Sequence, residues 1–160
     1  MRLRMLAVVV TVPLLVASCG TDSDSGSGQR AGGRGADMLA NLPSCDRVPL
    51  DADAEVDTPV TGLLLPEDAR VTSVVEQGAL TTVEATVRMT PLDVRAHYEQ
   101  RGDIDLLRAE DEVFETEVLM RAQQRRTYLR ATALCADGTT LTAVVGPDSD
   151  DAGLPEFQGR

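Results

Sequence analysis

Arg70-Val71-Thr72-Ser73-Val74-Val75-Glu76-Gln77-Gly78-Ala79-Leu80-Thr81-Thr82-Val83-Glu84-Ala85-Thr86-Val87-Arg88-Met89-Thr90-Pro91-Leu92-Asp93 is the stretch that decides the fold. Arg70 to Glu76 is rich in β-branched side chains, which suit a pleated surface, and predicts a strand. Gln77-Gly78-Ala79 predicts a short turn. From Leu80 to Met89 two sets of side chains alternate. Thr81, Val83, Ala85, Val87 and Met89 are mostly apolar and are expected to face a core, while Leu80, Thr82, Glu84, Thr86 and Arg88 face away. The two runs make a hairpin. Thr90 then offers a capping hydroxyl, Pro91 suits the first helical position, and Asp93 stands where a capping box places its acid. A helix is predicted from Pro91 to about Arg101, stopped by Gly102. Val94 and Tyr98, four apart, share the face that packs on the sheet.

Downstream, Ile104 to Ala109 predicts a strand. Glu110 to Arg126 is ambiguous: its Glu, Leu, Met, Arg and Gln favour helix. Against that, Phe114, Thr116, Val118 and Met120 alternate with Val113, Glu115, Glu117 and Leu119 as in a half-buried strand. The strand is favoured, because a meander needs it as a partner for the clear strands after it. Gln123 to Arg126 reads as a polar turn, and Thr127 to Cys135 as a strand. Asp137-Gly138 is a hairpin signal, and Thr140 to Val145 closes the sheet. The fold expected is α+β: an antiparallel sheet in the order ββα followed by a β-meander, with one helix packed on a face. Residues 45–146 form this domain and 147–160 an acidic disordered tail.

Upstream, Gly20 to about Ser44 has linker composition, with Gly, Ser, Asp, Arg and Ala, and Met38 to Leu42 as a brief helical turn docking near Cys45. Asp51, Asp53, Glu55 and Asp57 alternate as in a calcium loop. That loop needs Gly sixth and Glu twelfth, where Val56 and Gly62 stand, so a solvated acidic loop is expected instead.

The first residues carry an address. Arg2 and Arg4 precede an apolar run from Met5 to Val16, too short to cross a bilayer as a helix but sized for the hydrophobic region of a signal peptide. Leu3 separates the arginines, so there is no twin-arginine pair. Val16-Ala17-Ser18-Cys19 resembles the lipobox of bacterial lipoproteins. That resemblance implies residues 1–18 as signal peptide, cleavage between Ser18 and Cys19, and an acylated Cys19 heading a linker over 19–44. It also implies a protein held by lipid on the extracytoplasmic face of the cell membrane. Burying each CH2 is worth about 0.8 kcal/mol, and one chain anchors marginally, whereas two or three on one cysteine hold firmly. With every basic residue an arginine and no lysine, the chain is similar to small lipoproteins of GC-rich bacteria such as actinobacteria.

With Cys19 assigned to lipid by the resemblance, Cys45 and Cys135 remain as a pair in an exported chain, where a disulfide is the default. The competing reading makes Cys45 a catalytic thiol working with His97, the one histidine.

The chain has 15 basic and 26 acidic residues, a net charge of −11 that becomes −13 once Arg2 and Arg4 leave with the signal. Such a surface repels nucleic acid and anionic headgroups. Without lysine no Schiff-base chemistry is possible. Nucleophile elbow, phosphate loop, dinucleotide fingerprint and Cys-x-x-Cys are all absent, and no catalytic residue, metal ligand or cofactor is expected. His97 reads as a residue at the edge of the packed helix face. Asp103, Asp105, Glu110, Asp111 and Glu112 are candidates for a hydrolytic carboxylate pair, but read more simply as turn acids. Arg121, Arg125, Arg126 and Arg130 form the one basic cluster, expected to balance Glu115 and Glu117 across a hairpin. The function these features imply is a non-enzymatic, membrane-anchored domain that contacts another envelope protein. A module binding a small ligand or cation is the alternative, and a hydrolase the weaker one.

Overall fold

The structure, a computed structural model, describes residues 35–48, 50–51, 53 and 55–158. Residues 35–40 form a short helix, α1. Strand β1 (Arg70–Gln77) and β2 (Leu80–Val87) precede helix α2 (Pro91–Glu99). Four strands complete the order: β3 (Asp105–Asp111), β4 (Glu115–Ala122), β5 (Arg125–Cys135) and β6 (Gly138–Pro147). All pairings are antiparallel, in one six-stranded sheet of order β1-β2-β6-β5-β4-β3.

Helix α2 carries the chain from β2, next to one edge, across one face of the sheet to the far edge, where β3 begins. The meander β3–β6 then walks back until β6 pairs with β2. The chain is thus the α+β fold expected, with the helix on one face.

The period-two alternation is legible straight across the sheet. Val74, Val83, Ala143, Leu129, Val118 and Ala109 are successive register partners from β1 to β3, and all belong to or pack on the core. One residue along, the same cut reads Ser73, Glu84, Thr142, Arg130, Glu117 and Glu110. The first row faces α2 and the second faces away, as the pleat requires. Val94 and Tyr98 of α2 are fully buried on the apolar side, and the Tyr98 hydroxyl donates to the Leu64 carbonyl at 2.9 Å. That bond ties the incoming segment 60–66 to the underside of the helix.

The start of α2 is built as its sequence indicates. Asp93 N–H donates to Thr90 Oγ1 at 3.2 Å, and Thr90 N–H donates to Asp93 Oδ2 at 3.2 Å. Two otherwise orphaned N–H groups are satisfied reciprocally. Thr90→Ala is expected to lower the unfolding free energy by about 1 kcal/mol, read from denaturant melts.

Several boundaries differ from those expected. The helix ends at Glu99, with Gln100 as cap donating to the Ala96 carbonyl, and Gly102 does not adopt a left-handed conformation. The third strand extends to Asp111 and carries a bulge between Leu106 and Arg108. Of the polar stretch 123–126, Gln123 and Gln124 alone make the turn, both at positive φ (49° and 61°). This is a two-residue hairpin turn built without the usual Asn or Gly, so Arg125 and Arg126 pass into β5. Beyond Cys135, the turn residues are Ala136 and Asp137, and Gly138 already pairs with Cys135. Gly146-Pro147 lies inside β6, Pro147 opposite Arg125.

The segment expected to be a disordered tail is corrected too. Residues 148–158 fold back over the sheet face away from α2. Asp148 and Asp150 pair with Arg126 at 3.0 and 2.6 Å, and the Phe157 ring meets Tyr128 edge-on at 5.7 Å. Within the stretch assigned to linker, residues 35–40 are helical, and Leu39 is buried.

Candidate functional site

Cys45 and Cys135 are joined by a disulfide across 90 positions, both 1% exposed. The sequence expectation for this pair holds, and the Cys45 sulfur, bonded to Cys135, is not a free thiol beside His97. The strand positions Cys135 at its end, and the N-terminal segment is stitched beside it. Ala136 N–H donates to the Pro43 carbonyl at 3.0 Å, and the Thr86 hydroxyl donates to the Leu50 carbonyl at 2.7 Å. Gly138 explains itself here: a Cβ at that position would lie 2.7 Å from each sulfur and 2.9 Å from Leu50 Cδ1. Asp137 approaches the two sulfurs within 4.8 Å, but a disulfide presents no thiolate to a metal. Ser18 and Cys19 lie outside the described residues.

His97 borders a shallow cavity of about 500 Å³ with Pro66, Glu67, Arg88, Met89, Arg101 and Asp103. Its imidazole is held below the ordinary value, first by burial and then by the Arg101 guanidinium, against the opposing pull of Asp103 and Glu67. Arg101 is committed to Asp103 through two hydrogen bonds of 2.9 and 2.6 Å. His97 therefore sits at the margin of the helix face, as read from its spacing.

The structure does not bring the five candidate acids together as a free pair. Asp103 is taken by Arg101, Asp105 by Arg121 at 2.7 Å, Glu110 by Arg108 and Asp111 by Arg95. Glu110, Asp111 and Glu112 do line one cavity of about 520 Å³ with Arg95, Glu115 and Glu117. Guanidinium groups neutralise most of its carboxylates. The basic cluster is distributed likewise. Arg130 reaches Glu115 (3.4 Å) and Glu117 (3.2 Å) across the hairpin as expected, but Arg121 and Arg126 turn to Asp105, Asp148 and Asp150. Arg125 donates instead to the Ala79 carbonyl at 3.3 Å.

The most developed polar constellation lies on the sheet face away from α2, at the β4–β5 junction. Glu117, 4% exposed, accepts from the Tyr128 hydroxyl, from Arg130 Nη2 at 3.2 Å and from the backbone N–H of Gln158 at 2.9 Å. Burial alone would raise its carboxyl; the bonds from Tyr128, Gln158 and Arg130 outweigh burial and hold it below the usual carboxylate value. Tyr128, 3% exposed, is pushed up to about 12 by burial and by the hydrogen bond to Glu117. The Arg108 guanidinium covers the Phe157 ring, 4.2 Å from its centroid.

Sequence reasoning set the cluster Arg121, Arg125, Arg126 and Arg130 against Glu115 and Glu117 but missed Tyr128, Phe157 and Gln158. The available signal was an aromatic at a position of β5 that alternation assigns to the polar face.

A carboxylate held low contributes stability that is present above its unfolded value and is lost as pH falls through the folded one. Glu117→Gln is therefore expected to cost about 1–3 kcal/mol at pH 7. The gap to the unsubstituted chain should narrow as pH is lowered below about 4.5. Urea melts at pH 7, 5 and 3 check the sign.

No family model, curated protein or solved structure matches the chain. Among the described residues no helix is long and apolar enough to cross a membrane.

Proposed function

We propose that the chain is a lipid-anchored, extracytoplasmic interaction domain of a bacterial cell envelope, tethered through Cys19 and working by contact rather than by catalysis. The observation that carries the reading is the use of the cysteines. Cys45 and Cys135 are consumed by each other, which leaves Cys19, at the end of a basic and apolar leader, as the one thiol for acylation. A buried disulfide also suits an oxidising compartment. Between Cys19 and the first described residue, Gly35, the sequence is largely Gly, Ser, Asp and Arg, a composition that separates a domain from its attachment point.

The test is the intact mass of the protein from its native membrane fraction, beside a Cys19→Ser variant. Residues 19–160 carrying a diacylglyceryl or triacyl addition, less two hydrogens for the disulfide, is the expected result. An unmodified, soluble chain in both samples overturns the anchor and moves the search to secreted ligands. Cross-linking in the membrane fraction then addresses the partner. Failure to find any envelope protein at substoichiometric cross-linker, with the anchor present, would count against the contact role.

A further inference from the structure

Residues 148–158 lie on the outer face of β4 and β5. They come after β6 but join no ladder. Among the described residues, one backbone hydrogen bond ties the extended part, 154–158, to the sheet: the Gln158 N–H to Glu117 Oε2 at 2.9 Å. The rest of the attachment is side-chain chemistry. Asp148 meets Arg126 at 3.0 Å and Arg121 at 3.7 Å, and Asp150 meets Arg126 at 2.6 Å while its own side chain is 93% exposed. Phe157 packs edge-on to Tyr128 and beneath the Arg108 guanidinium. A cavity of about 430 Å³, open to solvent, lies among Leu119, Arg126 and residues 149–157.

The Gln158 bond to buried Glu117 is the firm point of attachment. Ahead of it, ion pairs that solvent reaches contribute little, and a segment with few backbone bonds opens locally before the sheet does. What it covers is built for a guest. Tyr128 lies in register with Val144 on one side and Leu119 on the other, and Tyr128 and Val144 are only 3% and 9% exposed. Arg121, Arg126 and Arg108 sit beside them. Arg108 and Arg121 are also paired with Glu110 and Asp105, and Arg126 is the guanidinium given wholly to the segment's carboxylates. Together with Tyr128 it makes a strip that takes carboxylates flanking an aromatic ring, with Glu117 as an acceptor for a backbone N–H.

We propose that residues 148–158 are a displaceable self-ligand, and that the strip beneath them is the docking surface for an extended acidic segment of another protein bearing an aromatic side chain. The identity of that chemistry is taken from the segment seated there: Asp148 and Asp150, which meet the arginines, and then Phe157 on the tyrosine. The inference deepens the interaction reading and rests on it for the existence of a partner. Because the closed segment occupies the strip, the apparent affinity for a guest is the intrinsic one reduced by the fraction open.

Two measurements on the full chain test this. The first is native-state hydrogen exchange. Amides of 152–158 are expected to exchange at least about a hundredfold faster than those of β5, in keeping with local opening. Equal protection of the two overturns the proposal.

The second uses a labelled synthetic peptide of the sequence Asp148–Gln158, titrated against the chain and against its Phe157→Ala variant. Loosening the closed segment should tighten peptide binding by about tenfold or more, through the larger open fraction. The same peptide with alanine in place of its phenylalanine should bind neither. No binding to either chain, or equal binding of both peptides, overturns the docking surface. A concentration-dependent dimer that the peptide dissolves would also overturn it, in favour of a second copy of this chain as occupant. None of these readouts depends on whether Cys19 is acylated, so their failure is distinguishable from failure of the anchor.

Discussion

Cys45→Ala/Cys135→Ala is expected to lower the unfolding free energy by about 4–5 kcal/mol, because the bond closes a loop of roughly ninety residues in the unfolded chain. The loop spans the whole of β1 to β5, from the segment ahead of the sheet to the end of its longest strand. Cutting the bond therefore releases the N-terminal segment as well as raising the entropy of the unfolded chain. Reductant should mimic the double variant, and the two should not add. Gly138 sharpens the test. With the disulfide present, Gly138→Ala forces a Cβ to 2.7 Å from both sulfurs. Overpacking of that kind costs about 1–3 kcal/mol. With both cysteines changed to alanine the sulfurs are gone, leaving Leu50, a side-chain end that can swing aside, as the close neighbour. The cost of Gly138→Ala should then fall, and a double-mutant cycle of the two changes should show coupling. Additivity in that cycle would show that Gly138 is not there for the disulfide.

Tyr98→Ala carries the other large effect. The ring is fully buried between α2 and the sheet, among the largest side chains of the core, and its removal is expected to cost about 3–5 kcal/mol. The hydroxyl is a separable part of this. Tyr98→Phe keeps the ring but leaves the Leu64 carbonyl without its donor, at a cost of about 1–2 kcal/mol. Urea melts of the three chains separate the packing contribution from the hydrogen bond. If Tyr98→Phe were as damaging as Tyr98→Ala, the segment 60–66 would be held by that one bond rather than by its own leucines. Burial holds the Tyr98 phenol well above the ordinary range, so no ionisation of this group intrudes on melts near neutral pH.

The hairpin β1–β2, the cap of α2 and the face carrying Val94 and Tyr98 were legible because each is written locally. Turn chemistry, capping and alternation act within a few residues, and each predicted the same element. The stretch 110–126 was harder, since its helix-forming composition opposed its alternation. The pairing of β4 between β3 and β5 decided it, Val118 lying opposite Ala109 on one side and Leu129 on the other. Propensity yields to such pairing because the burial of Val118 and Met120 outweighs a few tenths of a kcal/mol per residue, on the order given by propensity scales.

The errors are all of one kind. Gln123-Gln124 carries none of the usual marks of a turn with positive φ, and is held in it by the strands on either side. Gln123 also accepts from the Gly62 N–H at 3.2 Å, a partner 61 residues away. Asp137-Gly138 has the marks of such a turn but is shifted by one residue, since Gly138 is placed to clear the disulfide rather than to turn the chain.

By itself, then, the sequence determined what depends on neighbours along the chain: the hairpin, the capped helix and the alternation that sorts the two sheet faces. The tertiary structure decided what depends on neighbours in space. The acidic ending, 148–158, has the composition of a solvated tail, and no periodicity in it predicts otherwise. It is seated because Arg121 and Arg126 from β4 and β5, Arg108 from β3 and Tyr128 converge on one strip of the outer face. Residues far apart in the sequence make that strip only once the meander has brought three strands side by side. Charge and aromatic complementarity across such distances leaves no local pattern to read.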